Sequence, residues 1–237
     1  MLKALNSYPL CRFFLRDYVE GISVADLATD EQHHVSLKRI LLRDTNLIPN
    51  FESLFDSALK VLGISREQLK TSSEFNLNSY NPENLEGFLG LLRGVVVLAE
   101  EGYTHIKLLN APSEADVLCE RRGSKTCVEV KTISYEWKRV SSRRLQLEST
   151  LVQKLNDILP TARRQLSRTK SSYACNDTMF IAVVNWLGHS AVLDQRNYQT
   201  VVNRLESETP HLNKLKGVDW VVFVTYFGQR YIFQRVS

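Results

Sequence analysis

The chain lacks a paired-cysteine motif. Its four cysteines, Cys11, Cys119, Cys127 and Cys175, contain no C-x-x-C pair. That excludes the usual zinc-site spacing and makes a reduced, intracellular (cytoplasmic) protein the expectation. It also lacks a long apolar run, and nothing in it approaches the ~20 residues of a membrane span. The opening MLKALNSYPLCRFFLRDYVE is interrupted by Arg12, Arg16 and Asp17, so neither a signal peptide nor a membrane partner is expected. No internal repeat or low-complexity tract occurs. A strong net charge is missing too, with +4 over 237 residues. The charge is uneven, however. From Arg121 to Lys170 there are 13 Lys/Arg against 4 Asp/Glu, which leaves the rest of the chain acidic on balance. Such a segment suits either a polyanionic partner or a solvated helix face.

The stretch Ser113–Ser134, SEADVLCERRGSKTCVEVKTIS, is the most informative. Two short apolar runs, Val117–Cys119 and Cys127–Ile133, flank a turn at Arg122-Gly123-Ser124, which is a hairpin signal. Glu129 and Lys131 are two apart on the second strand and share a face. An even-length turn sets Asp116 opposite Glu129 or, in the next register, opposite Lys131. Either way two acids and an amine meet on one face. Adjacent carboxylates repel, and a divalent cation relieves the repulsion. Mg²⁺ takes oxygen ligands, usually one or two carboxylates with water and substrate phosphate. A lysine beside it would position a water and offset phosphate charge, which suits hydrolysis of a phosphodiester. The alternative is an ordinary surface ion pair between Glu129 and Lys131. Cys119 and Cys127 fall on opposite faces in both registers.

The first 75 residues read as helical, with apolar periodicity in Leu10–Val19, Leu37–Leu42 and Phe51–Leu62. Gly21, the Asn46–Asn50 patch with Pro49, and Gly63 punctuate them. Ser65 with Gln68 fits a capping box. Residues 22–28 resemble the start of a helix-turn-helix only faintly. His33 and His34 are adjacent, so they cannot share a helix face as metal ligands. The polar stretch 71–82 marks a boundary between a helical region (1–75) and a second domain (76–237). A helix capped by Asn81 and Pro82 runs to a stop at Gly102. Its wide apolar face calls for packing on a sheet, and Gly87, Gly90 and Gly94 would let another backbone approach. Glu86 lies on the stripe of Gly90 and Gly94. Strands follow at Tyr103–Leu109 and in the hairpin, then a basic aromatic loop with Tyr135 and Trp137. The next helix is expected over Leu145–Leu159, broken or kinked at Pro160, and continued from Thr161 to Lys170. Met179–Trp186 is a buried strand, Leu193–Glu208 a helix, and Val218–Tyr226 with Arg230–Val236 a closing hairpin. The fold class is α/β with a mixed central sheet flanked by helices.

With this order and the Asp116, Glu129, Lys131 triad, the chain resembles the PD-(D/E)xK nuclease superfamily, nearest in flavour to its Holliday-junction-resolvase and Mrr-like branches. That fold has an α-β-β-β-α-β core, matched in element order by residues 81–186. The chain departs from the motif at Ala115, where the family usually has proline. The resemblance implies a Mg²⁺- or Mn²⁺-dependent nuclease acting on DNA. Asp116, Glu129 and the Val130 carbonyl would hold the metal, Lys131 would serve catalysis, and Glu86 would join them directly or through water. Gln153 and Lys154 match a position on the following helix. Arg143, Arg144, Lys154, Arg163 and Arg164 would contact phosphates. A homodimer fits a double-strand cut. An inactive nucleic-acid-binding protein on the same fold is the alternative.

Overall fold

The computed structural model describes residues 5–20, 47–72, 82–111, 113–134, 144–185, 217–225 and 230–233. Three helices come first: α1 (Pro9–Glu20), α2 (Leu47–Leu62) and α3 (Arg66–Ser72). The expected punctuation at Pro49 lies inside the first turn of α2, where a missing N–H leaves no intrahelical bond unmade. The capping box is present at α3. Gln68 N–H donates to Ser65 Oγ at 3.1 Å and Ser65 N–H to Gln68 Oε1 at 2.8 Å. The helix expected at Leu37–Leu42, the stretch 22–28, His33, His34, the loop with Tyr135 and Trp137, and the helix expected at Leu193–Glu208 lie outside the described residues.

Helix α4 (Pro82–Glu100) precedes strands β1 (Thr104–Leu108), β2 (Val117–Arg121) and β3 (Ser124–Ser134). It ends as its sequence requires. Gly102 takes φ 78°, and Tyr103 N–H reaches back to Leu98 C=O at 3.0 Å, the left-handed stop that favours glycine. Helix α5 (Arg144–Tyr173) carries the chain back to β4 (Asp177–Asn185), and β5 (Trp220–Thr225) and β6 (Arg230–Phe233) complete the sheet. The strands lie in sequence order. The β1–β2–β3 and β5–β6 neighbours are antiparallel, and the β3–β4–β5 neighbours are parallel. The molecule is therefore α/β with a mixed sheet.

Of the break or kink expected at Pro160, the break does not occur: α5 is continuous through it. Leu155, Leu159, Ala162 and Leu166 form one buried stripe spanning the proline, so sheet packing holds both halves in phase. Pro160 itself is exposed. The hydrogen bond that a proline cannot donate is lost on the exposed side of the helix.

The two sheet faces carry separate apolar clusters. Val117, Cys119, Val128, Val130, Ile181 and Val183 pack under α4. Cys127, Ile133, Phe180, Ala182, Val221 and Phe223 pack under α5. The strand period of two sorts them. Helix α4 approaches the sheet closely through two of its glycines. A Cβ on Gly90 would sit 1.9 Å from Thr132 Oγ1, and one on Gly94 would sit 2.8 Å from Val130 Cγ2. Gly87 meets nothing within 4 Å, so the close approach expected of all three belongs to two.

Candidate active site

The hairpin turn contains two residues, Arg122 (φ 52°) and Gly123 (φ 78°). Both positive values match the twist of the flanking strands. This fixes the register: Arg121 pairs with Ser124, Cys119 with Thr126, Val117 with Val128. One step further, Asp116 stands opposite Glu129, the first of the two registers expected. Glu129 and Lys131 alternate with Val128 and Val130, which pack under α4, so both face α5, and Asp116 joins them there.

Glu129 has no exposed side-chain surface, and Lys131, whose side chain is 31% exposed, forms an ion pair with its Oε1 through the ammonium. Beyond the Lys131 ammonium and a weak approach of the Asp116 N–H, the Glu129 carboxylate has no formed hydrogen bond among the described residues. Burial pushes the Glu129 carboxyl up to about 8; the nearby Asp116 charge adds to this and Lys131 opposes it. Burial also raises Asp116, against the pull of Lys131 and of the Val130 N–H. Burial works to lower Lys131, but the charges of Asp116 and Glu129 outweigh it and raise the amine. These are the marks of two acids sharing a poorly solvated space with one cation.

The β2–β3 ladder opens at this point. Hydrogen-bonded pairs alternate along an antiparallel ribbon, and after Val117–Val128 the next would be Ala115–Val130. That pair is not made. Val130 N–H donates to Asp116 Oδ2 at 2.7 Å, and Ala115 N–H donates to Thr169 Oγ1 of α5 at 2.7 Å. The Val130 carbonyl shares the side of its N–H and so faces the opening. On α5, Gln165 Nε2 donates to Glu114 C=O at 3.1 Å and Tyr173 O–H to Glu114 Oε2 at 3.1 Å. Residues 165, 169 and 173 are successive i+4 neighbours on one helix stripe. They hold the two residues that lead into Asp116.

This oxygen set suits a hard cation: two carboxylates buried side by side and a carbonyl at a ladder break. Among the described residues no group of three or more His, Cys, Asp or Glu could hold a metal. Waters and a substrate phosphate would have to complete the shell, as is usual for Mg²⁺.

Glu86 is not brought to the pair. With Gly90 over Thr132 and Gly94 over Val130, α4 runs antiparallel to β3, which puts Glu86 beyond Thr132. It lies on the opposite face of the sheet from Glu129. The residue is buried, and its carbonyl accepts from Thr132 Oγ1 at 3.1 Å. Arg143 lies outside the described residues, as does the side chain of Arg144. Gln153 is exposed and Lys154 half-buried. Arg163 lies against Gly217, and Arg164 is exposed, with Nη2 3.1 Å from Thr161 Oγ1. No family model, curated protein or solved structure matches the chain. Thr169 and Gln165 are not among the residues expected from the sequence; the only hint of them is alanine before Asp116, which leaves an N–H at the end of the ladder in need of a partner.

Proposed function

We propose that the protein is a metal-dependent nuclease that hydrolyses phosphodiester bonds, with DNA as substrate, on a restriction-endonuclease-like core. The observation that carries this reading is the convergence of Asp116, Glu129 and Lys131 on one face, beside the Val130 carbonyl where the β2–β3 ladder breaks. A bound Mg²⁺ would supply Lewis-acid activation of a water and neutralise phosphate charge. Asp116, Glu129 and the Val130 carbonyl would hold it. The ammonium of Lys131, whose side chain is partly exposed, would orient the attacking water and face the negative charge that develops on the phosphate. Val130 N–H fixes one oxygen of Asp116 and leaves the other for the cation. The basic residues 143–164 would track the phosphate backbone.

The test is cleavage of supercoiled, linear and branched DNA with Mg²⁺ or Mn²⁺. Wild type should nick or cut, and Asp116→Ala should lose that activity by at least the roughly 10²–10³-fold typical of losing one electrostatic group. A second reading is an inactive nucleic-acid-binding protein; the ion pair that closes Lys131 onto Glu129 favours it. Equal nicking by both proteins, or none by either, with DNA still bound, would select that reading.

A further inference from the structure

We infer that Thr169 is a positioning residue for the cation site: by taking the Ala115 N–H, it keeps the Val130 carbonyl available as a ligand. The inference rests on the nuclease reading above. The alternation of the β2–β3 ladder makes Ala115 and Val130 the next mutually bonded pair. In that pair the Ala115 N–H would occupy the Val130 oxygen. Instead it points to Thr169 Oγ1 at 2.7 Å. Ala115 and Thr169 are both buried, so water is no substitute partner, and a buried N–H must be paired. Among the described residues its acceptor is the threonine hydroxyl, and the one the ladder's alternation would otherwise offer is the Val130 carbonyl. The hydroxyl therefore decides whether the ribbon zips shut by one more rung or stays open beside Asp116 and Glu129.

Neighbouring contacts support a clamp rather than an incidental bond. Gln165 holds the Glu114 carbonyl and Tyr173 the Glu114 carboxylate, so three residues of one α5 stripe grip the segment before Asp116. Gln165 Oε1 is buried with no formed hydrogen bond among the described residues. On the other side Leu109 N–H donates to the Asp116 carbonyl at 2.9 Å. The backbone of Asp116 is thus set by β1 and α5 together, while its carboxylate is set by β3. A proline at 115 would need no acceptor, having no N–H; with alanine there, the chain depends on the hydroxyl.

The experiment is calorimetric titration of the full chain with Mn²⁺, without DNA, for wild type, Asp116→Ala, Thr169→Val and Thr169→Ser. Thermal unfolding in chelator checks that each variant is folded. We expect Asp116→Ala to abolish binding. Thr169→Val should weaken Mn²⁺ about tenfold or more, because its Ala115 N–H closes onto Val130. Thr169→Ser, which keeps the hydroxyl, should stay within about threefold of wild type. Thr169→Ala carries the same expectation as the valine variant and stands in for it if that protein does not fold. Wild-type affinity in Thr169→Val or Thr169→Ala, or equal weakening in Thr169→Ser, would overturn the inference and leave the nuclease reading in place. No binding by wild type, together with no cleavage, would overturn both.

Discussion

Glu129 is a carboxylate placed where a carboxylate should not ionise. It has no exposed surface, and the Lys131 ammonium is its main polar partner. Its pKa stands at about 8 against an ordinary 4.5, with burial the largest cause. The sign of the consequence follows from proton counts. Between these two values the folded chain keeps a proton on Glu129 that the unfolded chain has released. Stability contributed by this group is therefore complete below about 4.5 and is lost as pH rises through about 8. Lys131 is shifted upward as well; its contribution is complete below 10.5 and fades only above that, so it does not mask the effect. A cation at the site favours the ionised acid and reverses the trend. The expected outcome is that Mg²⁺ raises the melting temperature more at pH 8 than at pH 5. In chelator, the wild-type melting temperature should fall with pH more steeply than that of Glu129→Gln. Parallel pH profiles for the two proteins would show that Glu129 does not titrate in this range.

Among the elements, α4 and α5 press on β3 from opposite faces, and their glycines and proline make the pressure measurable. Gly90→Ala would drive a methyl into Thr132, and Gly94→Ala one into Val130. Each should destabilise by ~1–3 kcal/mol, the range for overpacking, and under the proposed nuclease reading Gly94→Ala should also weaken cleavage, since Val130 would offer its carbonyl to the cation. Gly87→Ala has open space and should stabilise by ~0.5–1 kcal/mol through helix propensity alone. Denaturant midpoints of the three variants check the contrast. Pro160→Ala restores a solvent-side bond and should stabilise by up to ~3 kcal/mol; a loss of stability would mean the proline fits a bend that the sheet needs. These elements also show what the sequence made legible. Strand alternation and a two-residue turn bring Asp116, Glu129 and Lys131 together, because both rules are local. The Ser65–Gln68 cap is local too. The course of α5 past Pro160 is not, since the stripe of Leu155, Leu159, Ala162 and Leu166 gains its force only from the sheet beneath it. Glu86 shares the stripe of Gly90 and Gly94 as expected, yet which sheet face that stripe meets is a matter of chain path. Thr169 was hidden for the same reason: its partner lies 54 positions away.

Across the whole molecule, one apolar cluster runs from the first helices into the sheet. Phe14 of α1 stacks on Phe55 of α2 with ring centroids 4.7 Å apart. Both rings meet Phe88 of α4, at 5.7 and 6.3 Å, and α4 lies directly on β3. Phe14 and Phe55 are fully buried, and so are the Leu85, Leu89 and Leu92 side chains in the same cluster. The Glu52 carboxylate adds a polar tie, accepting from Leu10 N–H at 3.0 Å and Cys11 N–H at 2.7 Å at the start of α1. Helices joined through a shared ring stack cannot loosen without uncovering α4, and α4 cannot shift without disturbing Thr132 and Val130 beside the site. Phe55→Ala should therefore cost ~3–5 kcal/mol, as for a buried phenylalanine, and the cost should appear in the whole protein. Far-ultraviolet dichroism follows the helices and tryptophan fluorescence includes Trp220 on β5, so the two signals sample both regions. They should lose structure at one common, lowered denaturant midpoint in the variant. Separate midpoints, with the fluorescence transition left at its wild-type position, would mean that α1 and α2 unfold alone and that the aromatic stack does not couple them to the sheet.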